Sequence, residues 1–285
     1  MSPIPALRAL VLTLLLSACG SSYLMPRQQK AAFAAEKAGW SLQILKGTKF
    51  DVASFAPPRQ PGGSPLVVYI EGDGLAYLDR YTVSPDPTPD DPMALRLALL
   101  HPGANAIYLA RPCQYSSITE RRCDAAYWTG RRYSAEIIES IDRAIDETKR
   151  KAAAPTVILV GYSGGGAVAV LLAARRTDVA GIVTIAANLD LGYWTGRDRL
   201  APLAGSLDPA DVAERVSSIP QIHFAGARDD VVGADVVQSY VNRMRDRSRT
   251  ALITMAGFDH RCCWASEWPR LSMRPELARI PGWTR

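Results

Sequence analysis

Residues 157–167 read Val-Ile-Leu-Val-Gly-Tyr-Ser-Gly-Gly-Gly-Ala, and no other stretch restricts the fold as much. Four consecutive apolar residues with no polar alternation suit a strand covered on both faces, as in a parallel sheet between helix layers. Gly164 to Arg175 then reads as a helix, which leaves the chain only a glycine-bracketed turn between the two. The same alternation recurs along the chain. Leu66–Ile70, Ala106–Leu109, Val179–Ala186, Gln221–Ala225 and Ala251–Met255 read as strands. Helices are expected at Pro92–Leu100, Ser134–Lys151 and near Asp235–Met244. In the second of these Ile137, Ile138, Ile141, Ala144 and Ile145 share one face. Strands separated by helices imply right-handed crossovers and a mostly parallel sheet of about eight strands with helices on both faces, an α/β fold.

The flanks are less regular. Arg27–Ala38 is an Ala-rich helix stopped by Gly39. Ser41–Phe55 holds two short runs split at Gly47, a hairpin. Residues 187–215 are the one long stretch without a clear element, running from a strand to a short helix expected at 209–216, and read as a cap-like insertion. With 285 residues, 48% of them apolar, the chain can bury one sizeable core and is no disordered tail. The expected organisation is a leader at 1–18, a tether and N-terminal helix at 19–40, and one domain at 41–285.

The leader is an address. Arg8 precedes Ala9–Leu16, far short of the ~20 apolar residues needed to span a bilayer, and small residues and Cys19 follow. Leu16-Ser17-Ala18-Cys19 resembles the bacterial lipoprotein box, in which cleavage leaves the cysteine as the acylated first residue. Gly20 at the next position resembles lipoproteins sorted to the outer membrane. This implies a protein of the bacterial cell envelope, attached to the outer membrane through an N-terminal lipid anchor and facing the periplasm; an ordinary secretory signal is the alternative. Export also matters for Cys113, Cys123, Cys262 and Cys263, an even set in an oxidising compartment. Adjacent cysteines joined by a trans peptide lie closer than disulfides prefer, about 3.8 Å at Cα. The expectation therefore leans towards Cys113 and Cys123 pairing with Cys262 and Cys263. The rival is Cys113–Cys123 beside a strained or unpaired doublet.

A net charge of +5 is small and dispersed in short clusters such as Arg131-Arg132, which argues against a nucleic-acid partner. The chemistry sits elsewhere. Gly161-Tyr162-Ser163-Gly164-Gly165 fits Gly-x-Ser-x-Gly between a strand and a helix, where a tight turn presents the serine as a nucleophile. No Lys follows as in a phosphate loop. The serine needs a base, and there are three histidines. His101 lies far upstream and His223 lies inside a strand. His260, just after the last strand, can reach the serine. The orienting acid is expected between them, after a strand. Asp229 fits the turn Gly226-Ala227-Arg228-Asp229, with Asp230 its solvated neighbour. Asp190 ranks second, and Asp259 is too close to His260 to orient it. An oxyanion needs two backbone N–H donors: Gly164, and one from Glu71-Gly72-Asp73-Gly74, with Asp73 first and Gly72 next. A carboxylate there would oppose developing negative charge, so the Asp73 side chain is expected to turn away, towards Arg111. Tyr115, Trp128, Trp194 and Trp264 are loop aromatics that could line the cleft.

The elbow, acid turn, histidine loop and oxyanion loop together resemble the α/β-hydrolase superfamily over residues 42 to 280. More narrowly, Arg111-Pro112-Cys113-Gln114-Tyr115, Asn188-Leu189-Asp190 with Trp194, and Gly205 to Pro209 resemble a group of bacterial lipoprotein hydrolases. Glu71-Gly72 stands where lipases and esterases often carry His-Gly. The resemblance implies a serine hydrolase with a Ser163–His260–Asp229 triad, acting on a small-molecule or lipid-like acyl substrate, with no metal or organic cofactor. Esters are the first expectation. Amide or peptide cleavage, acyl transfer, and a non-catalytic envelope scaffold are the alternatives.

Overall fold

The eight expected strands form one sheet in a computed structural model that describes residues 26–115 and 122–284. The leader, Cys19 and residues 20–25 lie outside these. A hairpin of β1 (Ser41–Leu45) and β2 (Val52–Ala56) opens the sheet, with Leu42 opposite Phe55. The remaining strands are β3 (Leu66–Ile70), β4 (Ala106–Leu109), β5 (Val157–Tyr162), β6 (Val179–Ile185), β7 (Gln221–Gly226) and β8 (Thr250–Met255). Their order is β1-β2-β4-β3-β5-β6-β7-β8. β2 runs antiparallel to β4, and β3 to β8 are mutually parallel. The apolar β5 takes a central place, buried along its whole length.

Side chains alternate between two cores, as the period of a strand requires. Val157 and Leu159 join one core with α3 (Ala135–Lys151), α4 (Gly164–Ala173) and α6 (Ala234–Asn242). Ile158, Val160 and Tyr162 join the other with α1 (Arg27–Lys37), α2 (Met93–Leu99) and α7 (Trp264–Leu271). α3 buries the expected face of Ile137, Ile138, Ile141, Ala144 and Ile145, and each isoleucine contributes roughly 1.5–3 kcal/mol. α4 is buried at every position, which is why it carries no polar stripe. Gly39, at φ +74°, ends α1 in a conformation that costs other residues more.

Residues 187–215 are more ordered than their composition suggests. They contain α5 (Leu191–Arg197), which is not expected from the sequence, and a 3-10 turn at Pro209–Val212 where a short helix is expected at 209–216. α5 has seven residues, about two turns, and two of them are glycines, too little for an apolar period. Its start is set by Asp190, whose carboxylate accepts the Tyr193 N–H at 2.9 Å. Among the described residues no helix is long and apolar enough to cross a membrane.

Candidate active site

The site lies at the carboxyl edge of the parallel strands, where β5 turns into α4. Ser163 has φ +50° and ψ −122°, a strained conformation that lifts its side chain out of the strand. The glycines around it leave the packing no alternative. A Cβ on Gly161 would strike the Gly165 backbone, and one on Gly165 would strike the Ile70 carbonyl.

Ser163 Oγ and His260 Nε2 are 3.0 Å apart, and His260 Nδ1 lies 2.9 Å from Asp229 Oδ2. The other oxygen of Asp229 accepts the N–H groups of Val231 and Val232 at 3.0 and 2.9 Å. Burial alone would raise this carboxyl, but the His260 contact and the two amides outweigh it and hold it below the usual carboxylate range. The histidine loop is fastened from three sides. Tyr162 Oη donates to the His260 carbonyl at 2.9 Å. Trp264 Nε1 donates to the Asp259 carbonyl at 3.0 Å. The Asp259 carboxylate accepts the Arg261 and Cys262 N–H groups at 2.8 and 2.6 Å, so this residue shapes its own turn.

The set-aside candidates have other duties. His223 is fully buried beside Thr184 Oγ1 at 2.8 Å, and burial pushes it down to about 3. His101 packs on Tyr69 at 2.9 Å and is pushed down to about 4 by burial. Asp190 caps α5, accepts the Ser239 hydroxyl at 2.6 Å and pairs with Arg243 at 3.2 Å.

Opposite the histidine, Gly72 lies over Ser163: a Cβ there would sit 3.3 Å from Ser163 Cβ. Its amide is no oxyanion donor, however. The Gly72 N–H donates to Glu71 Oε1 at 2.9 Å, because a buried carboxylate at the strand end takes the nearest amide. The same oxygen accepts the Ala94 N–H at 3.3 Å, tying the loop to α2. Burial pushes the Glu71 carboxyl up to about 7, against these two amides. Asp73 N–H and Gly164 N–H have no hydrogen-bond partner among the described residues, which leaves this pair available for an oxyanion.

The Asp73 side chain does turn to Arg111, at 3.2 Å, but it meets a larger assembly. Arg132 Nη1 reaches its other oxygen at 2.6 Å, and the Tyr133 hydroxyl donates to the same carboxylate at 3.1 Å. Arg111 also donates to the Arg132 carbonyl. Burial would raise the Asp73 carboxyl; the two guanidiniums overcome this and hold it below the usual range. The assembly rests on the neighbour of Ser163, since a Cβ on Gly164 would strike the Asp73 carboxylate. Sequence reasoning missed Arg132 and Tyr133. Its one available signal was the Arg131-Arg132 doublet beside an aromatic residue.

A cavity of about 360 Å³ opens over Ser163 and His260, lined also by Asp73, Arg132, Asn188 and Trp194. Of the four loop aromatics, Trp194 alone lines it. Tyr115 packs on Phe55, Trp264 packs on Phe258, and Trp128 donates to the Ser84 carbonyl. Among the described residues no group of three or more His, Cys, Asp and Glu could hold a metal ion.

The cysteines correct the expectation of a cross-loop pairing: the bridges are Cys113–Cys123 and Cys262–Cys263. Cys113 and Cys123 lie 5.7 Å apart at Cα, within the usual span, so their loop closes on itself and leaves the doublet only its own members. The Cys262–Cys263 peptide is cis, with Cα atoms 3.2 Å apart.

No family model matches the chain, and no curated protein matches it in sequence. Solved structures do. An alpha-beta serine hydrolase homologue from Coxiella burnetii superposes with a TM-score of 0.56 at 13% identity, over 84% of this chain and 95% of that one. A candidate lipase from Acinetobacter baumannii gives 0.59 at 13% identity, over 89% and 95%. The acylaminoacyl peptidase of Pyrococcus horikoshii gives 0.56 at 13% identity, over 81% of this chain but 39% of that larger one. At such identities the likeness establishes the fold: this chain has the α/β-hydrolase fold.

Proposed function

We propose that the chain is an exported serine hydrolase that cleaves esters through an acyl-enzyme. The observation that carries this reading is the continuous Asp229–His260–Ser163 relay beside two backbone N–H groups without partners. Ser163 Oγ attacks the acyl carbonyl while His260 Nε2 takes its proton, and Asp229 holds the imidazole. Negative charge on the carbonyl oxygen is met by the N–H groups of Gly164 and Asp73. His260 then returns the proton to the departing alcohol, and water repeats the sequence in reverse to release the acid. The reading extends to the ends of the chain: removal of residues 1–18, acylation of Cys19, and attachment to the outer membrane facing the periplasm.

Amide or peptide bonds are a second reading, favoured by the fold's likeness to an acylaminoacyl peptidase. The oxyanion geometry serves both. A fluorophosphonate probe tests the whole reading. Ser163 should be labelled in the folded protein and Ser163→Ala should not, whereas an unlabelled wild type makes the chain a scaffold. A panel of nitrophenyl esters against aminoacyl amides then separates the two readings by relative kcat/KM.

A further inference from the structure

The mouth of the cavity carries exposed apolar side chains that the proposed chemistry does not use. Residues 76–84 form a tight hairpin. Tyr77 bridges to Val83, Leu78 N–H donates to the Thr82 carbonyl at 2.8 Å, and Ser84 N–H donates to the Ala76 carbonyl at 3.0 Å. The Asp79 carboxylate pins the tip by accepting the Tyr81 and Thr82 N–H groups at 2.8 and 2.9 Å. This rigid tip holds Leu78 at 57% and Tyr81 at 84% exposure, with Tyr77 and Val83 beside them. Tyr77 also lines the cavity, as does the exposed Val231. Scattered exposed leucines need no explanation, but a cluster of large apolar side chains at the mouth of a site marks an interaction surface.

The N-terminus shows what the surface meets. Arg27, the first residue of α1, donates to the carbonyls of Asp86 and Thr88 at 3.0 and 2.6 Å. It also pairs with Asp86 and with Asp90, which lines the cavity. This segment carries the hairpin's base, since Leu75 N–H donates to the Pro87 carbonyl at 3.1 Å. The chain therefore enters the domain beside the cavity mouth. Cys19 lies only eight positions before Arg27, a reach of at most ~29 Å. A domain of this length is ~47 Å across. A lipid on Cys19 thus cannot leave the pole opposite Arg27 facing the bilayer.

Resting on the reading of an anchored hydrolase, we infer that the cavity mouth docks on the phospholipid bilayer, with Leu78 and Tyr81 inserted at its surface, and takes membrane-borne esters as substrate. The contact is apolar rather than electrostatic. Asp86, Asp90 and Asp91 flank the mouth and offset Arg27, Arg80 and the cavity-lining Arg261, so an anionic headgroup gains little there and added salt leaves the docking in place.

The test uses the full chain, acylated and reconstituted in vesicles of phosphatidylethanolamine with a minority of phosphatidylglycerol. Leu78→Trp places an indole at the tip. Met273→Trp places one beside Ser272, whose carbonyl accepts the indole of Trp283 packed on His101, and His101 follows the end of α2 remote from the cavity-lining Met93. Lipids brominated in their acyl chains should quench the added emission of Leu78→Trp, in high salt as in low, and leave that of Met273→Trp unchanged. Equal quenching of both, or of neither, overturns the docking, and so does a chain that fails to stay with the vesicles. In the double variant Leu78→Asp/Tyr81→Asp, hydrolysis of a vesicle-borne ester should fall about tenfold while that of a short soluble nitrophenyl ester is unchanged. Equal rates on both substrates overturn membrane-borne selection. Quenching without hydrolysis of either ester supports the docking and refutes the ester-hydrolase reading instead.

Discussion

The two sides of the nucleophile are built differently. On the acid–base side the two carboxylates are held by amides of their chain neighbours, and Tyr162 adds one distant tie to the His260 carbonyl. Asp229 is held by the amides of Val231 and Val232, and Asp259 closes its own turn beside His260. On the oxyanion side the corresponding groups are charges brought from far away. Asp73 is gripped by Arg111, Arg132 and Tyr133, and Glu71 reaches Ala94 of α2. A locally held group can be replaced with little damage to the fold. A buried charge held by distant partners cannot, because any one deletion strands the others in a low dielectric.

The first consequence is a split between activity and stability. His260→Ala or Asp229→Asn should lower kcat/KM about 10⁴-fold or more, while thermal unfolding shifts little. An unfolded His260→Ala protein would erase the distinction. On the other side, Asp73→Ala should cost about 3–5 kcal/mol, because it leaves two guanidiniums buried. The loss would appear in calorimetry as a Tm lower by about 10 °C. The double variant Asp73→Ala/Arg132→Met should recover part of that loss, and strict additivity of the two changes would mean that the pair is not coupled.

The two carboxylates of the oxyanion loop also differ in pH response. Glu71 is raised to about 7 in the folded protein from an ordinary value near 4.5. The folded state then holds the extra proton, so stability is full below about 4.5 and falls as pH rises through 7, by up to about 3 kcal/mol. Glu71→Gln should flatten that decline in a Tm–pH series. Asp73 is lowered, so its contribution is present above its ordinary value and is lost as acid carries the pH down through the depressed one. This acid limb should survive in Glu71→Gln. The smallest effect belongs to Tyr162→Phe, which removes the hydroxyl bonded to the His260 carbonyl. It should cost about 1 kcal/mol, or up to tenfold in kcat/KM, and no change would make this tie irrelevant to the histidine's placement.

The same division explains what could be read in advance. Ser163, Asp229 and His260 are announced by short patterns, each a strand followed by a particular turn, and a turn's chemistry is written in the residues that form it. The proposal of Asp73 and Gly164 as donors follows from the same logic. Gly72 does not, because its amide is claimed by Glu71, and nothing local to Gly72 says that the carboxylate folds back on it. Arg132 and Tyr133 were equally silent, since their role depends on how the segment before α3 crosses the sheet edge. The cysteines mislead for a related reason. Counting suggests pairs, and only three-dimensional proximity decides them.

Order of elements, apolar period and turn chemistry are properties of neighbouring residues, and these determined the sheet, its crossovers and the relay above it. Which distant charges share one buried pocket, which amide stays available, and which side chains crowd the mouth were decided by tertiary packing. Those outcomes depend on contacts across dozens of residues, where energies are set by desolvation and distance rather than by the local run of the chain.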